Sequence, residues 1–263
     1  MSVRVCVLGS GSKGNCTLVA TEKTRLLVDA GLSCRETYAR LAAINESPEG
    51  LAAVVISHEH TDHINGLRVL VQNGDLPVYV SQATWEAVSR DDEIRKKITK
   101  IECIAASEKF TIGDIEITPF PVPHDAVDPV AFTLDAQGIR ISVVTDLGFV
   151  PEIVKQRVKG SHVLVLESNH DLEMLKVGPY PWAVKQRVMS RQGHLSNNAT
   201  ADFLIEEFDG AAQVLVLAHL SETNNHPEIA RLSAEQALGQ RTGLQFTKLH
   251  LASQTKPTDV FRF

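Results

Sequence analysis

Seven residues dominate the chemistry available to this chain: Ser57-His58-Glu59-His60-Thr61-Asp62-His63. Three imidazoles and a carboxylate within six positions are hard to explain as packing. Imidazole nitrogen and carboxylate oxygen suit Zn²⁺, Mn²⁺ or Fe²⁺. His58 and His60 are two apart, so in an extended segment they point the same way, and Asp62 and His63 then turn toward a second position. The spacing is not the His-Glu-x-x-His of a zinc-protease helix, because Asp62 stands four residues after His58. Four further polar residues each stand where an apolar run ends: Asp29 after Arg25–Val28, His124 after Ile117–Val122, Asp146 after Ile141–Val144 and His219 after Val214–Ala218. In layered α/β folds, strand ends are where ligand sites gather.

The elements that must hold these residues follow from hydrophobic periodicity. Strands are expected at Val3–Leu8, Cys16–Ala20, Arg25–Val28, Ala53–Ile56, Pro77–Val80, Ile115–Phe120, Ala131–Leu134, Ile139–Val144, Val163–Leu166, Val214–Ala218 and Phe246–Leu249. Helical spacing marks Ser33–Ile44, Ile64–Val71, Ala83–Val88, Trp182–Ser190, Asn198–Phe208 and Pro227–Leu238, the last stopped by Gly239, and the C-terminal tail reads as polar. The metal motif therefore sits on a strand-to-helix turn. The run Gly9 to Asn15 joins the first two strands, either as a plain hairpin turn or as a cradle of N–H groups for a phosphate.

The 263 residues, 43 % of them hydrophobic, suffice for one α/β domain spanning residues 1–263, with no repeat or linker. No apolar run approaches the ~20 residues of a membrane helix, and the N-terminus has no signal-peptide pattern. Cys6, Cys16, Cys34 and Cys103 are scattered without a Cys-x-x-Cys pair. A disulfide framework is therefore not expected, and a cytoplasmic location is. The net charge of −6 does not itself suggest a nucleic-acid partner, but Met174–Ala201 carries Lys176, Lys185, Arg187 and Arg191 with no acid. That strip reads either as a solvated helix face or as a phosphate contact.

The His-x-His-x-Asp-His core with its trailing His, Asp and His resembles the metallo-β-lactamase superfamily, and the likeness runs from Asp29 to His219. It implies a four-layer αββα sandwich of the metallo-β-lactamase fold and two divalent metal ions per chain, Zn or Mn, with Fe possible. By the resemblance, His58, His60 and His124 hold one ion; Asp62, His63 and His219 hold the other; Asp146 bridges them. Asp29 would orient ligands without binding metal. The ligand set names no substrate. The secreted zinc β-lactamases usually have a cysteine where this chain has Asp146, which argues against that branch.

Glu167-Ser168-Asn169 and Gly193-His194-Leu195-Ser196-Asn197 loosely resemble the Glu-containing and His-Ser-Thr motifs of tRNA-maturation nucleases, where a Glu–His pair assists phosphodiester cleavage. The His-Leu-Ser departure puts a tRNA substrate in doubt. Gly9-Ser10-Gly11-Ser12-Lys13-Gly14-Asn15, Asp29-Ala30-Gly31 and Gly178-Pro179-Tyr180-Pro181-Trp182 with Lys185-Gln186-Arg187 also resemble the bacterial YycJ/WalJ/VicX group, described as exonuclease-like with 5′→3′ action on DNA. The resemblance implies a binuclear-metal phosphodiesterase using a metal-bridging hydroxide, with nucleic acid, DNA in the first place, as its partner and no membrane. Asp62, His194 and Glu167 would be catalytic, and Lys185, Arg187, Arg191, Ser196 and Asn197 would bind substrate, with Tyr180 and Trp182 available for stacking. Two other functions stay open: a thioester or lactone hydrolase of the same fold, and a non-enzymatic metal-binding regulator. Hydrolysis of a generic phosphodiester separates the nuclease from both.

Overall fold

The computed structural model describes residues 2–241 and 246–263. The first half of the chain builds β1 (Arg4–Gly9), β2 (Cys16–Ala20), β3 (Arg25–Val28), α1 (Cys34–Ala43), β4 (Ala53–Val55), α2 (Thr61–Ile64), α3 (Leu67–Gly74), β5 (Val78–Ser81), α4 (Gln82–Val88), α5 (Asp92–Lys97) and β6 (Ile101–Ile104). The second half builds β7 (Phe110–Ile112), β8 (Ile115–Pro121), β9 (Val130–Ala136), β10 (Ile139–Val144), α6 (Glu152–Val158), β11 (Val163–Glu167), α7 (Leu172–Val177), α8 (Trp182–Val188), α9 (Asn197–Glu206), β12 (Val214–Ala218), α10 (Pro227–Gly239), β13 (Lys248–Leu251) and β14 (Phe261–Arg262).

These strands form two seven-stranded sheets, ordered β14-β1-β2-β3-β4-β5-β6 and β13-β12-β11-β10-β9-β8-β7. Side chains alternate across a strand, and β11 and β12 show why that yields four layers. Val163, Val165, Val214 and Val216 face the layer between the sheets, where Val5, Val19, Leu26, Ile117 and Phe132 also lie. Leu164, Leu166, Leu215 and Leu217 face outward onto Phe203, Leu204, Ala230 and Ala234 of α9 and α10. On the other sheet Leu18, Leu27 and Val54 pack against Leu41, Leu67 and Leu70 of α1 and α3. The αββα sandwich expected from the resemblance is the observed architecture.

Several local expectations change. The helix expected at Ile64–Val71 is two helices, α2 and α3, broken at Gly66, where an added Cβ would meet the Leu32 carbonyl oxygen at 1.9 Å. The polar tail ends in β14, which pairs antiparallel with β1 at Arg4↔Arg262 and Val5↔Phe261. The final strand on the other sheet is Lys248–Leu251, two residues later than expected; Phe246 lies outside it. Gly239 is the last residue of α10 and not its stop; Gln240 caps that helix. Among the described residues no helix is long and apolar enough to cross a membrane.

For function, the parallel pairings matter most. β3 and β4 run parallel, as do β10, β11 and β12. Their C-terminal ends therefore release Asp29, Ser57-His58, Asp146, Glu167 and His219 at one edge of the sandwich. Asp29, Asp146 and His219 each leave their strand in the left-handed region, at φ 63°, 62° and 56°. Non-glycine residues rarely adopt this conformation, and it is concentrated at functional sites.

Candidate metal centre

The histidines and acids from these strand ends converge. His60 Nδ1 lies 3.2 Å from His124 Nε2, and His58 belongs to the same group of potential ligand atoms. Asp62 Oδ2 lies 3.2 Å from His219 Nε2 and 3.6 Å from His63 Nε2. Asp146 stands between the groups: its Oδ2 is 3.2 Å from His63 Nε2, and its Oδ1 is 3.5 Å from His219 Nε2 and 3.8 Å from His124 Nε2. All seven residues that the resemblance implied as ligands thus come together.

The donor set fits a divalent metal. Ligand bonds of ~2.0–2.2 Å at a tetrahedral ion require donor–donor edges of roughly 3.3–3.6 Å, close to the separations found. His58 Nε2 is buried with no hydrogen-bond partner, a costly state for a polar atom unless something else binds it. Burial, helped by the neighbouring His63, pushes the His58 imidazole well below its usual range, so it is neutral with its lone pair available. Burial lowers His124 as well. Burial also acts against charge on His63 and His219, but nearby carboxylates, Asp146 foremost, outweigh it and raise both. Asp146 itself is held well below the carboxylate range by His219 and His63 despite complete burial. The pocket is a buried acidic cluster calling for positive charge, which protons or metal cations can supply.

Residues around the ligands fix their orientation. Asp29 accepts from the Ser57 backbone N–H at 2.8 Å and lies 2.8 Å from His63 Nδ1, leaving Nε2 to face the centre. It reaches neither cluster with its own oxygens, as expected for an orienting carboxylate. Asn15 closes the other side, with Nδ2 3.2 Å from Asp62 Oδ2 and 3.1 Å from His63 Nε2, and its backbone N–H donates to the Asp62 carbonyl at 2.7 Å. This approach requires glycine at position 31, where a Cβ would sit 1.6 Å from the Asp62 carbonyl oxygen. The Gly9–Asn15 run is the β1–β2 connection, and Asn15 Oδ1 binds Ser10 and Gly11 within it. Asn15, Ser10, which accepts from the His219 N–H, and Asn169, which donates to the His219 carbonyl, lie in segments that the resemblance singled out, but nothing in the sequence marked them as residues that hold the histidines and Asp62. Each is an ordinary turn residue whose importance arises only from tertiary contact.

Glu167 and His194 meet beside the ligands. Glu167 Oε1 lies 2.8 Å from His194 Nδ1 and 2.9 Å from His219 Nδ1, while Oε2 accepts from the N–H groups of Leu147 and Leu195. Burial works against its charge, but His194 and His219 outweigh it and bring the carboxyl to about 2. Glu167 is completely buried and faces the two imidazoles, not the cavity. His194 is the member that reaches the surface: it lines the cavity above the centre with His60, Asp62, Asp146 and His219. Burial opposes protonation of His194, yet Glu167 raises its pKa above the ordinary value.

The expected substrate contacts are only partly realised. Arg187 lines the cavity, paired with Asp125 at 3.1 Å. Arg191 lies outside it, its guanidinium 3.8 Å over the Phe149 ring. Lys185 is buried and donates to the Lys176 carbonyl at 2.7 Å, turning inward because it completes the end of α7. Ser196 is the N-cap of α9, accepting from Ala199 N–H. Asn197 is buried in a net with Ser168 and Asn225. These last three hold the framework and do not face the cavity. Tyr180 lines the cavity, whereas Trp182 is 62 % exposed outside it.

Comparison with known proteins agrees with this geometry. Residues 24–250 match the model of the beta-lactamase superfamily domain. The chain is 37 % identical to the exodeoxyribonuclease YycJ of Bacillus anthracis, over 99 % of each chain. It is likewise 37 % identical to the exodeoxyribonuclease WalJ of Streptococcus pneumoniae, over 89 % of this chain and 87 % of that one. The metallo-beta-lactamase fold protein YhfI from Bacillus subtilis superposes over 100 % of both chains with a TM-score of 0.76 at 20 % identity. The chain belongs to the beta-lactamase superfamily, and within it is a relative of the exodeoxyribonucleases YycJ and WalJ.

Proposed function

We propose that the chain is a metal-dependent phosphodiesterase that removes nucleotides from DNA ends in the 5′→3′ direction. The reading rests chiefly on His194: a fully buried carboxylate, Glu167, holds it at the cavity edge, where its Nδ1 lies 3.7 Å from Asp146 Oδ1. His58, His60 and His124 would hold one divalent ion, Zn or Mn, and Asp62, His63 and His219 a second, with Asp146 common to both. Bound there, such a pair supplies a nucleophile from water at neutral pH and neutralises charge developing on phosphorus.

The protein's own groups account for the remaining work. Asp29, Asn15 and Glu167 fix the imidazoles so that little reorganisation is needed during reaction. His194 donates a proton to the leaving oxygen, and Glu167 keeps its Nδ1 engaged so that Nε2 faces the substrate. Arg187 exchanges Asp125 for a backbone phosphate, which adds affinity without reading sequence. The exodeoxyribonuclease names of two relatives, one aligned over nearly the whole chain, support DNA as substrate.

The test is incubation of metal-reconstituted protein with single- and double-stranded DNA and RNA, labelled at the 5′ or the 3′ end. The expected result is mononucleotide release from 5′-labelled DNA at the earliest times. Activity confined to thioesters or lactones would overturn the proposal.

A further inference from the structure

Two unlike sets of side chains line the cavity above the metal centre. Tyr180, Val184 and Val188 form one, from the loop before α8 and one face of that helix; 184 and 188 are one turn apart and so lie on the same side. Ser12, Asn169, Ser221 and Asn224 form the other, presenting hydroxyls and amides. Asn224 is 1 % exposed, with its Oδ1 packed against Gly178. The volume is about 260 Å³, below the ~300–1,000 Å³ usual for sites that take drug-sized ligands.

A flat apolar ring face with polar edges, suited to such a mixed lining, is the chemistry of a nucleobase on its sugar. We propose that this cavity is a subsite for one unpaired terminal nucleoside, with Tyr180 as its stacking partner and Ser12 and Ser221 beside its polar edges. The inference rests on the phosphodiesterase reading and deepens it. A chamber that admits one nucleoside places a single terminal linkage over the metal centre, so cleavage proceeds from an end. Base stacking on an aromatic ring is tolerant of sequence because every base has a π-face. The subsite thus selects for a base and for an unpaired end, not for a particular base.

Binding separates this subsite from catalysis. The affinities of dAMP and of 2-deoxyribose 5-phosphate, which lacks only the base, are to be measured calorimetrically on metal-loaded wild-type protein and on Tyr180→Ala, Tyr180→Phe and Tyr180→Trp. The expected result is that wild type favours dAMP by roughly 10-fold or more, the ordinary contribution of one stacked base. That preference collapses in Tyr180→Ala and survives in the two aromatic variants. Equal affinity of wild type for the two ligands, or no binding of either, overturns the subsite, as does a preference that Tyr180→Ala retains. If dAMP binds as expected while no DNA is cleaved, the subsite stands and the phosphodiesterase reading falls. If DNA is cleaved but the base adds nothing to affinity, the reverse holds.

Discussion

At the scale of single residues, the roles of Glu167 and His194 can be told apart because only one reaches the cavity. His194→Ala is expected to lower the turnover rate on DNA by about 10²–10⁴-fold, the usual contribution of a positioned acid or base. Its metal content should stay at the wild-type level, since His194 is not assigned as a ligand. Glu167→Gln should behave differently. The amide cannot accept from both imidazoles and both backbone N–H groups with the strength of a carboxylate, and His219 loses its orientation. Metal affinity should then fall by about 10–100-fold, as for other outer partners of metal ligands. Parallel metal titration and steady-state kinetics of the two variants check this; metal loss in His194→Ala, or full metal retention in Glu167→Gln, contradicts the assignment. The ligands were legible as residues because imidazoles and carboxylates cluster for few other reasons. Asn15 and Asn169 were marked only as members of segments that carry the resemblance, and Asn224 not at all, because an asparagine in a turn looks the same whether or not it touches a site.

Among the elements, strands were legible where aliphatic residues recur at every second position, as in β10 and β12, whose bounds match the periodicity at both ends. Short helices such as α2, α7 and α8 were harder to delimit, because too few turns are present for a period of 3.6 residues to show. β14 was hidden altogether: two residues carry no alternation, and the strand forms because β1 presents an edge to it. Phe261 nevertheless belongs to the layer between the sheets and is only 7 % exposed, its ring edge-on to His250 at 4.7 Å. Phe261→Ala should therefore destabilise the fold by about 3 kcal/mol, in the range for buried Phe-to-Ala changes. Urea unfolding of the metal-loaded variant measures this. A midpoint equal to wild type would show that β14 is dispensable.

For the molecule as a whole, stability should depend on pH partly through His170, which lies outside the ligand set. It is 1 % exposed, its Nδ1 has no partner, and burial lowers its pKa to about 4. The unfolded chain takes up a proton near the ordinary value of about 6.5, whereas the folded chain resists until about 4. Stability linked to this group is thus complete above pH 6.5 and declines as pH falls through that window, by an amount on the order of 3 kcal/mol. His170→Asn removes the titration, so its urea midpoint should fall less than that of wild type between pH 7 and pH 4.5; parallel declines would contradict the prediction. The larger claim is that the two sheets bring seven ligands from strand ends, turns and one helix start into a centre for two metals that hydrolyses DNA. Its most direct test is to titrate metal-stripped protein with Zn²⁺ or Mn²⁺ while following bound metal and hydrolysis of 5′-labelled DNA together. The expected result is saturation at two equivalents per chain, with hydrolysis absent before metal is added and complete only as the second equivalent binds. Saturation at one equivalent, or DNA hydrolysis that persists in the stripped protein, would contradict it.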